Sequence, residues 1–405
     1  MSLRITKLLI AVVLASLSLA GCLSNGSSAP PPAGGLTLAP GDGQITVSWN
    51  ATPGVEYWLF YAPASSISTT NWVNVAGSRA LTGVNSPFAL TGLTNGVTYS
   101  LTLNARTGGG PGGTGTPSVS AVPRLAGNAW LAGPPLGSGD LRGVMIGVSH
   151  VAVGLGGTMY SSSDGKAWTA LTPVSGMDLY AATYGNGMYL AGGAGGTLLY
   201  SADAITWTAQ PSGTVNPLYA LASNHSSLNV AVGAHGTILA SADGKTWSVA
   251  ANSATTKDLY GVVYCTYGSG LWVAVGAGGT ILTSTDASNW QVVASGTTAD
   301  LKSVAYGPTA GPGAFVAVGG AGALVTSPEG VNWTRQPAPT TATLNAVIYG
   351  TQFVAVGTGG TVFTSIDGIA WAAQASGSAS DLNAIDHAAY SYSVVGAGGA
   401  NLYSQ

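Results

Sequence analysis

Carboxylates are the residues of this chain that are numerous enough to suggest catalysis. Residues 128–405 contain twelve of them. A glycoside hydrolase needs two cooperating carboxyl groups about 5–10 Å apart, one of which acts as an acid. Eleven of the twelve fall into two regularly spaced series, and only Asp386, which is followed by His387, stands outside both. Regular spacing is typical of architecture, so the sequence predicts no catalytic residue.

The first series belongs to a short pattern that begins as Ser162-x-Asp164-Gly165-x-x-Trp168 and recurs six times. Its acidic positions are 39, 40, 43, 43 and 38 residues apart. A period of roughly forty residues, built from strands and glycine turns, is typical of a β-propeller with one blade per repeat. The six acidic residues, predicted to be structural, are Asp164, Asp203, Asp243, Asp286, Glu329 and Asp367.

In the second series, an aspartate precedes the first leucine of a predicted inner strand. An aspartate in such a loop commonly accepts backbone N–H bonds, and the repetition favours this turn role. Alternatively, carboxylates gathered around one face could collect cations or bind a basic partner. The five members of the series are Asp140, Asp178, Asp258, Asp300 and Asp381.

Other catalytic and ligand-binding patterns are absent from the sequence. The four histidines lie in different repeats and lack the spacing of metal ligands. Gly154-Leu155-Gly156-Gly157-Thr158 and its relatives recur between two strands with no following helix, so they are predicted hairpin turns and not phosphate loops. No nucleophile elbow or nucleotide fingerprint is present. We therefore expect no metal and no cofactor.

The residues that break the repeat are more informative. The position after the inner-strand leucine is variable and mostly polar or aromatic, and it should lie at the mouth of the central channel. Asp386 and His387 replace an apolar residue and a tyrosine, and a charged pair there is costly unless it is solvated or paired. They either face channel water or belong to a site. The candidate binding face is Arg142, Tyr180, Tyr219, Tyr260, Lys302, Asn345, Asn383, Asp386 and His387.

Each repeat contains the four strands that a propeller blade requires. Six patterns give six complete blades, and a seventh inner strand begins at Leu382, but the sequence stops before its fourth strand. Asn128–Ala132 matches the missing strand. We predict an all-β protein with a seven-bladed propeller over 128–405, closed by pairing of residues 128–132 with 400–404. Trp130 should then match Trp168 and its relatives.

The segment 36–124 alternates strands and turns. Its residues 90–105 resemble the E–F corner of a fibronectin type III domain, with Tyr99 as the corner tyrosine that bonds upstream backbone. Trp49 matches the core tryptophan of the family's strand B. The resemblance implies a β-sandwich. Trp58 and Trp72 could form a sugar platform, although packing within the sandwich is favoured.

The repeat region resembles the Asp-box (BNR) propellers of sialidases and the similar photosystem II assembly-factor propellers. In that family the box is a structural hairpin, whose Ser and Asp bond turn backbone while the Trp packs against the blade. Sialidases also share three arginines that clamp the substrate carboxylate. Residues 128–405 contain only Arg142 and Arg335, at non-equivalent repeat positions, so sialidase activity is not expected.

The N-terminus reads as a targeting segment. Arg4 and Lys7 precede an apolar run that ends in Leu19-Ala20-Gly21-Cys22, which resembles a bacterial lipobox. We expect a signal peptide over 1–21, lipidation of Cys22, a flexible tether over 22–35 and an outer-membrane location. The alternative is an ordinary secretory signal that ends near a cysteine. The other cysteine, Cys265, is expected to be a buried apolar residue.

Charged residues make up only 6% of the chain, and the net charge is −3. The chain therefore lacks the basic field that nucleic acid or anionic lipid requires. The sequence indicates a non-enzymatic, surface-anchored binding or assembly lipoprotein that recognises a protein or a glycan. The alternative is a carbohydrate-active enzyme or lectin of the Asp-box type.

Overall fold

The structure, a computed structural model, describes residues 26–266, 270–308, 313–388 and 391–404. These residues form strands, turns and short 3-10 turns, so the fold is all-β. The chain divides into two compact units, unit 1 (Met1–Arg124) and unit 2 (Leu125–Gln405). None of the described residues belongs to a helix that could cross a membrane. The predicted signal peptide and Cys22 lie outside the described residues.

Unit 1 contains two antiparallel sheets, one with the order β1-β7-β4-β5 plus β8 on β7, the other with the order β2-β3-β6. A 3-10 turn, Trp72–Asn74, follows β4. The strands are β1 (Ser27–Ala29), β2 (Thr37–Gly41), β3 (Gln44–Ser48), β4 (Glu56–Ala62), β5 (Arg79–Val84), β6 (Phe88–Thr91), β7 (Tyr99–Thr107) and β8 (Val119–Ala121).

The core of unit 1 draws side chains from both sheets, because alternate residues of each strand point to the same face. Ile45 of β3 and Leu59 of β4 are fully buried in one cluster with Trp49. The hydroxyl of Tyr99 accepts a hydrogen bond from the backbone N–H of Thr94 at 3.2 Å, as the resemblance implied.

The two tryptophans suggested as a sugar platform both pack against the small apolar cluster of Phe60, Ala62 and Ile67. Trp58 is stacked under the guanidinium of Arg106, 3.4 Å from the ring centroid, and its Nε1 donates to Glu56 at 2.6 Å. Trp72 packs against Phe60, with ring centroids 5.4 Å apart. Both rings are therefore engaged in packing within unit 1.

The segment predicted to be a flexible tether is partly ordered. Ser27–Ala29 form β1 and pair antiparallel with β7, from Ser27 opposite Thr107 to Ala29 opposite Ala105. The prediction of a flexible segment is wrong at these residues. β7 offers a free edge whose backbone groups are satisfied by any extended neighbour, and composition alone does not reveal that edge.

Unit 2 opens with β9 (Leu131–Ala132) and continues through seven four-stranded antiparallel sheets. In chain order, sheets 1 to 3 contain β10 (Leu141–Ile146), β11 (His150–Gly154), β12 (Met159–Ser162), β13 (Thr169–Leu171); β14 (Leu179–Gly185), β15 (Met188–Gly193), β16 (Leu198–Ser201), β17 (Thr208–Gln210); and β18 (Leu218–Ser223), β19 (Asn229–Gly233), β20 (Ile238–Ser241), β21 (Ser248–Val249).

Sheets 4 to 7 follow the same plan, except that β9 supplies the last strand of sheet 7. They contain β22 (Leu259–Cys265), β23 (Leu271–Gly276), β24 (Ile281–Ser284), β25 (Gln291–Val293); β26 (Leu301–Gly307), β27 (Ala314–Gly319), β28 (Leu324–Ser327), β29 (Thr334–Arg335); β30 (Leu344–Tyr349), β31 (Phe353–Gly357), β32 (Val362–Ser365), β33 (Ala372–Gln374); and β34 (Leu382–Ala388), β35 (Ser391–Gly396), β36 (Asn401–Ser404).

The first strand of each sheet lies beside the first strand of the next, and β34 of sheet 7 lies beside β10 of sheet 1. Apolar side chains fill the spaces between neighbouring sheets. Trp272 of sheet 4, for example, packs with Val230 and Val232 of sheet 3. Because each sheet buries one face against each neighbour, its second strand is almost wholly apolar.

A 3-10 turn joins the second and third strands of every sheet in unit 2. In sheet 1, Gly156 and Gly157 have φ angles of 64° and 72°, which favour glycine. A β-carbon at Gly157 would also collide with the carbonyl oxygen of Ser175. The predicted phosphate-loop look-alikes are thus hairpin turns. They span Leu155–Gly157, Ala194–Gly196, Ala234–Gly236, Ala277–Gly279, Gly320–Gly322, Thr358–Gly360 and Ala397–Gly399.

The predicted pairing between the two ends of unit 2 is present. Leu131 lies opposite Tyr403, and Ala132 lies opposite Leu402. The paired strand is shorter than the predicted 128–132, because residues 126–129 form a turn and a bend before it. The same order holds in sheet 1, where Trp168 precedes β13 and lies outside it.

Candidate functional site

The first strands of all seven sheets line one cavity of about 630 Å³. A polar or aromatic residue follows the first leucine of each of these strands. We call these seven the mouth residues, and they are Arg142, Tyr180, Tyr219, Tyr260, Lys302, Asn345 and Asn383. The structure therefore brings the predicted binding face together, since the cavity is lined by Arg142, Tyr180, Tyr219, Tyr260, Lys302, Asn345, Asn383, Asp386 and His387.

Three of the mouth residues form a continuous aromatic arc across sheets 2 to 4. The ring centroids of Tyr180 and Tyr219 are 5.8 Å apart, and those of Tyr219 and Tyr260 are 5.7 Å apart, with tilted rings in both pairs. The ammonium of Lys302 continues the arc, 3.8 Å from the ring centroid of Tyr260. Arg142 of sheet 1 borders its other end. Both geometries are favourable, because the charge distribution of an aromatic ring favours tilted neighbouring rings and attracts a cation to the ring face.

The five aspartates of the second series lie next to the mouth residues and connect successive sheets. Each accepts a backbone N–H from the 3-10 turn of the preceding sheet, at 2.7–3.0 Å. We expected the N–H donors to lie in the aspartate's own loop. The donors to Asp140, Asp178, Asp258, Asp300 and Asp381 are instead the backbone N–H groups of Gly398, Gly156, His235, Gly278 and Gly359.

Two of these aspartates also neutralise the cations of the mouth. Arg142 Nη2 lies 2.8 Å from Asp140 Oδ2, and Lys302 Nζ lies 3.2 Å from Asp300 Oδ2. Exposed pairs of this kind contribute little to stability. In the described part of the chain, no ion pair engages Asp178, Asp258 or Asp381.

Burial is the main cause that raises the pKa of each tyrosine of the arc. The Asp178 carboxylate adds to the effect at Tyr180, Asp258 does so at Tyr219, and Asp300 does so at Tyr260. The phenols therefore stay neutral at physiological pH, and the aspartates supply the negative charge of the arc.

The other half of the mouth is held by hydrogen bonds to backbone. Asn345 Nδ2 donates to the carbonyl of Leu382 at 2.9 Å, and Asn383 Nδ2 donates to the carbonyl of Leu141 at 2.8 Å. Each amide thus pins its strand to the next sheet. Two mouth positions predicted as binding residues therefore have a structural partner already.

Ser303 makes a similar bridge lower in the cavity, and sequence reasoning missed it. The backbone N–H of Val347 donates to Ser303 Oγ at 3.1 Å. Its repeat position is occupied by glycine or alanine in the other sheets, as at Gly143 and Ala384, and that departure was the available signal.

Asp386 and His387 lie deeper in the cavity and are partly exposed. Asp386 Oδ2 accepts the backbone N–H of Ile146 at 2.7 Å, and Oδ1 accepts that of His387 at 2.8 Å. Desolvation raises the pKa of Asp386 to about 7 although both N–H groups lower it, and desolvation lowers the pKa of His387. Asp386 is the one carboxylate among the described residues that line the cavity.

The six recurring boxes have a common hydrogen-bond geometry, which places their acids away from the cavity. In the first, Asp164 Oδ1 accepts the backbone N–H groups of Lys166 and Ala167 at 2.8 and 2.9 Å. Ser162 Oγ accepts the N–H of Gly165 at 2.9 Å, and the indole of Trp168 donates to the Gly165 carbonyl at 3.1 Å. The box therefore closes its own turn.

A seventh box is split between the two ends of unit 2, and it includes Trp130, which the sequence predicted to match Trp168; the parts played by Gly127 and Gln352 were not predicted. Ser404 Oγ accepts the N–H of Gly127 at 2.8 Å, and Trp130 Nε1 donates to the Gly127 carbonyl at 2.8 Å. Ala126 stands where the other boxes carry an acid. Gln352 of sheet 6 reaches into this box, and its Nε2 donates to the Ala126 carbonyl at 2.8 Å and to Asn128 Oδ1 at 2.7 Å.

The described residues contain no group of three histidine, cysteine, aspartate or glutamate side chains that could share a metal ion. Cys265 is buried, 3% exposed, within the core shared by sheets 4 and 5. It therefore packs as a small apolar residue.

This chain is similar to known proteins in structure but matches none of the compared families or curated proteins in sequence. No family model matches the chain, and no curated protein sequence matches it. Among solved structures, YCF48 bound to D1 peptide is similar with a TM-score of 0.57 and 18% identity, covering 70% of this chain and 99% of that one. The chain contains a β-propeller.

Two further solved structures agree with this fold. YCF48 from Cyanidioschyzon merolae has a TM-score of 0.56 and 16% identity, covering 68% of this chain and 98% of that one. The WD40 β-propeller domain of Doa1 has a TM-score of 0.56 and 13% identity, covering 69% of this chain and 97% of that one. At these identities the likeness concerns the propeller fold alone.

Proposed function

We propose that this chain is a non-enzymatic binding or assembly protein that recognises another protein at the mouth of a seven-bladed, Asp-box propeller. The seven four-stranded sheets are its blades, and the split seventh box closes the ring. Unit 1 serves as a fibronectin type III spacer. Lipidation at Cys22 anchors the chain in the cell envelope, on the outer membrane.

The aromatic arc is the single observation that carries this proposal. A repeat protein needs no particular residue after the first leucine of each blade, yet three consecutive blades place tyrosines there with contacting rings. Tyrosine combines a large apolar face with a polar tip, and it is enriched at protein interfaces. The YCF48 structure with a D1 peptide shows a propeller of similar fold that binds a peptide.

The alternative is a carbohydrate-active enzyme or lectin, which the same tyrosines favour, since aromatic faces also contact sugars. Hydrolysis is disfavoured by the lining of the cavity, where the described residues supply Asp386 and no second carboxylate. A glycosidase needs a pair. Turnover of glycosides or esters that Asp386→Ala abolishes would contradict the non-enzymatic proposal.

The test compares two ligand libraries on the mature chain. A glycan array and a library of random dodecapeptides displayed on phage are screened against the wild type and the variant Tyr180→Ala/Tyr219→Ala. Tyr200→Ala serves as the matched control, because Tyr200 belongs to the same sheet as Tyr180 but does not line the cavity. We expect selected peptides to bind the wild type and the control, and to lose binding to the double variant. Selection of glycans alone would establish the lectin.

A further inference from the structure

The cavity mouth has a charge as well as an aromatic surface. The five aspartates beside the mouth face three cations, Arg142, Lys257 and Lys302, which leaves a net charge of −2. Two of the cations are held by Asp140 and Asp300. Of the three aspartates outside these ion pairs, Asp178 and Asp258 lie along the aromatic arc, whereas Asp381 lies at sheet 7.

We call a tyrosine of the arc together with the aspartate beside it a step. Lys302 shows which kind of group one such step binds. Its ammonium lies 3.8 Å from the ring centroid of Tyr260 and 3.2 Å from Asp300 Oδ2. A tyrosine face and an adjacent carboxylate thus hold an ammonium together, and both attractions favour a cation. The site is filled by the chain's own side chain.

The preceding step repeats the tyrosine and the carboxylate but lacks the lysine. Asp258 stands where Asp300 does, Tyr219 stands where Tyr260 does, and Tyr260 takes the position of Lys302. Asp258 is electrostatically coupled to both Tyr219 and Tyr260. Its Oδ1 accepts the His235 N–H, and the described residues place no cation on its other oxygen.

Exposed apolar side chains lie in the loops that lead to two tyrosines of the arc. Met177 and Val215, in the loops that lead to Tyr180 and Tyr219, are 44% and 83% exposed. An isolated small cation would leave them uncovered, whereas a polypeptide would cover them. Their position favours a partner with apolar residues around a positive charge.

We propose that the step formed by Asp258, Tyr219 and Tyr260 binds a lysine or arginine side chain of a partner polypeptide whose neighbouring residues are apolar. This inference rests on the proposed function, because it names the chemistry of the partner at that same mouth. Asp258 supplies the charge, the tyrosine faces supply the cation contact, and Met177 and Val215 cover the flanking apolar residues.

The test uses two aspartates that are alike in the fold and differ only in their neighbours. Asp258 and Asp381 each accept one backbone N–H through Oδ1, at 2.9 and 2.8 Å. Asp381 precedes Asn383 and has no tyrosine at its step. Asp258→Asn and Asp381→Asn both keep an acceptor oxygen, so they cost similar stability, and thermal unfolding verifies this.

Dodecapeptides selected on the wild-type chain are sequenced, synthesised and measured by fluorescence anisotropy. We expect enrichment of lysine or arginine between apolar residues. Asp258→Asn should weaken binding roughly threefold to tenfold, and acetylation of the peptide's lysine should weaken it similarly. Asp381→Asn should leave the affinity within about twofold of the wild type.

Two results would overturn the inference in different ways. Peptides that depend on Tyr219 but lack enriched basic residues, or that bind Asp258→Asn and Asp381→Asn equally, would exclude the cation site and leave peptide recognition intact. Failure to select any peptide that prefers the wild type over Tyr180→Ala/Tyr219→Ala would remove the proposed function together with this inference.

Discussion

Gly127 donates its backbone N–H to the hydroxyl of Ser404 at 2.8 Å, although the two residues are 277 positions apart in sequence. The same bond is local in five of the six continuous boxes, as between Gly165 and Ser162. The two ends of unit 2 thus rebuild one hairpin turn from separate pieces of chain. Their junction is a structural element in its own right, and its strength can be measured.

Trp130→Ala is expected to destabilise unit 2 by about 3–5 kcal/mol, the usual cost of truncating a buried aromatic residue. Trp130 is 9% exposed and packs 6.2 Å from Tyr392, measured between ring centroids. Trp247 holds the equivalent place in a continuous box and is less buried, so Trp247→Ala should cost no more. Denaturant unfolding of both variants checks this. An unfolding midpoint for Trp130→Ala equal to that of the wild type would show that the junction does not contribute to stability.

Gln352→Leu is expected to destabilise unit 2 by roughly 1–3 kcal/mol, because it removes both donors to the split box and leaves buried acceptors. Gln336→Leu is the control. Its amide donates at 2.8 Å to Thr326 Oγ1 within one sheet, so its loss should cost less than about 1 kcal/mol. Equal unfolding midpoints for the two variants would contradict the special role of Gln352.

Asp243→Asn should lower stability at pH 7 but not at pH 2. Backbone N–H bonds from Thr246 and Lys245 lower the pKa of Asp243 to about 2. A depressed folded pKa contributes stability that is present above the unfolded value of 3.8 and is lost as pH falls through about 2. Melting temperatures of wild type and variant should converge between pH 4 and pH 2, and a constant gap would refute the assignment.

Asp386 should have the opposite dependence on pH. Its folded pKa of about 7 exceeds the unfolded value of 3.8, so the folded state binds more protons between them. Its contribution is fully present below pH 3.8 and is lost as pH rises through 7.

Asp386→Ile provides the comparison for Asp386, because Ile348 occupies the equivalent position in sheet 6. Because the pKa of His387 is lowered from its usual 6.5, this histidine destabilises the fold at pH values below 6.5. The wild type and Asp386→Ile largely share this effect. Stability of the wild type relative to the variant should therefore fall by on the order of 2 kcal/mol between pH 4 and pH 8. A difference that is flat across this range would show that Asp386 keeps an ordinary pKa.

Cys22→Ser should release the mature protein from membranes into the soluble fraction, with loss of the mass of the acyl chains. A lipid anchor needs the cysteine thiol, whereas an ordinary secretory signal does not. Cys265→Ser is the matched control, since Cys265 lies in the core and should not affect fractionation. Membrane-bound Cys22→Ser at wild-type levels would rule out lipidation.

Periodicity made the repeating parts of unit 2 predictable. The spacing of Asp164 and its relatives located the sheets, and the position after each first leucine located Tyr180, Tyr219 and Tyr260 on one cavity. Contacts between repeats were less accessible. The sequence indicated that Asp258 accepts backbone N–H groups, but its donor, His235, belongs to the preceding sheet. Such partners depend on how sheets are stacked, which a local pattern does not encode.

Irregular features were the hardest to predict. Gln352 occupies a position that carries Met188 in sheet 2 and Leu271 in sheet 4, and its role becomes apparent only when Ala126 and Asn128 are known to lie beside it. Ser27–Ala29 likewise have a linker composition, and their pairing depends on the free edge of β7. In both places a distant partner decides the structure.

The split box also determines where mechanical force enters unit 2. A pull transmitted along the chain from unit 1 arrives at Leu125 and first meets the hydrogen bonds of Gly127 and Ala126, followed by the two residue pairs that join β9 to β36. Tension would therefore open this junction before it reached the four continuous strands of sheet 1. If the N-terminus is lipid-anchored as proposed, a pull on the chain acts on this junction first within unit 2, and Gln352 fastens it from the neighbouring sheet.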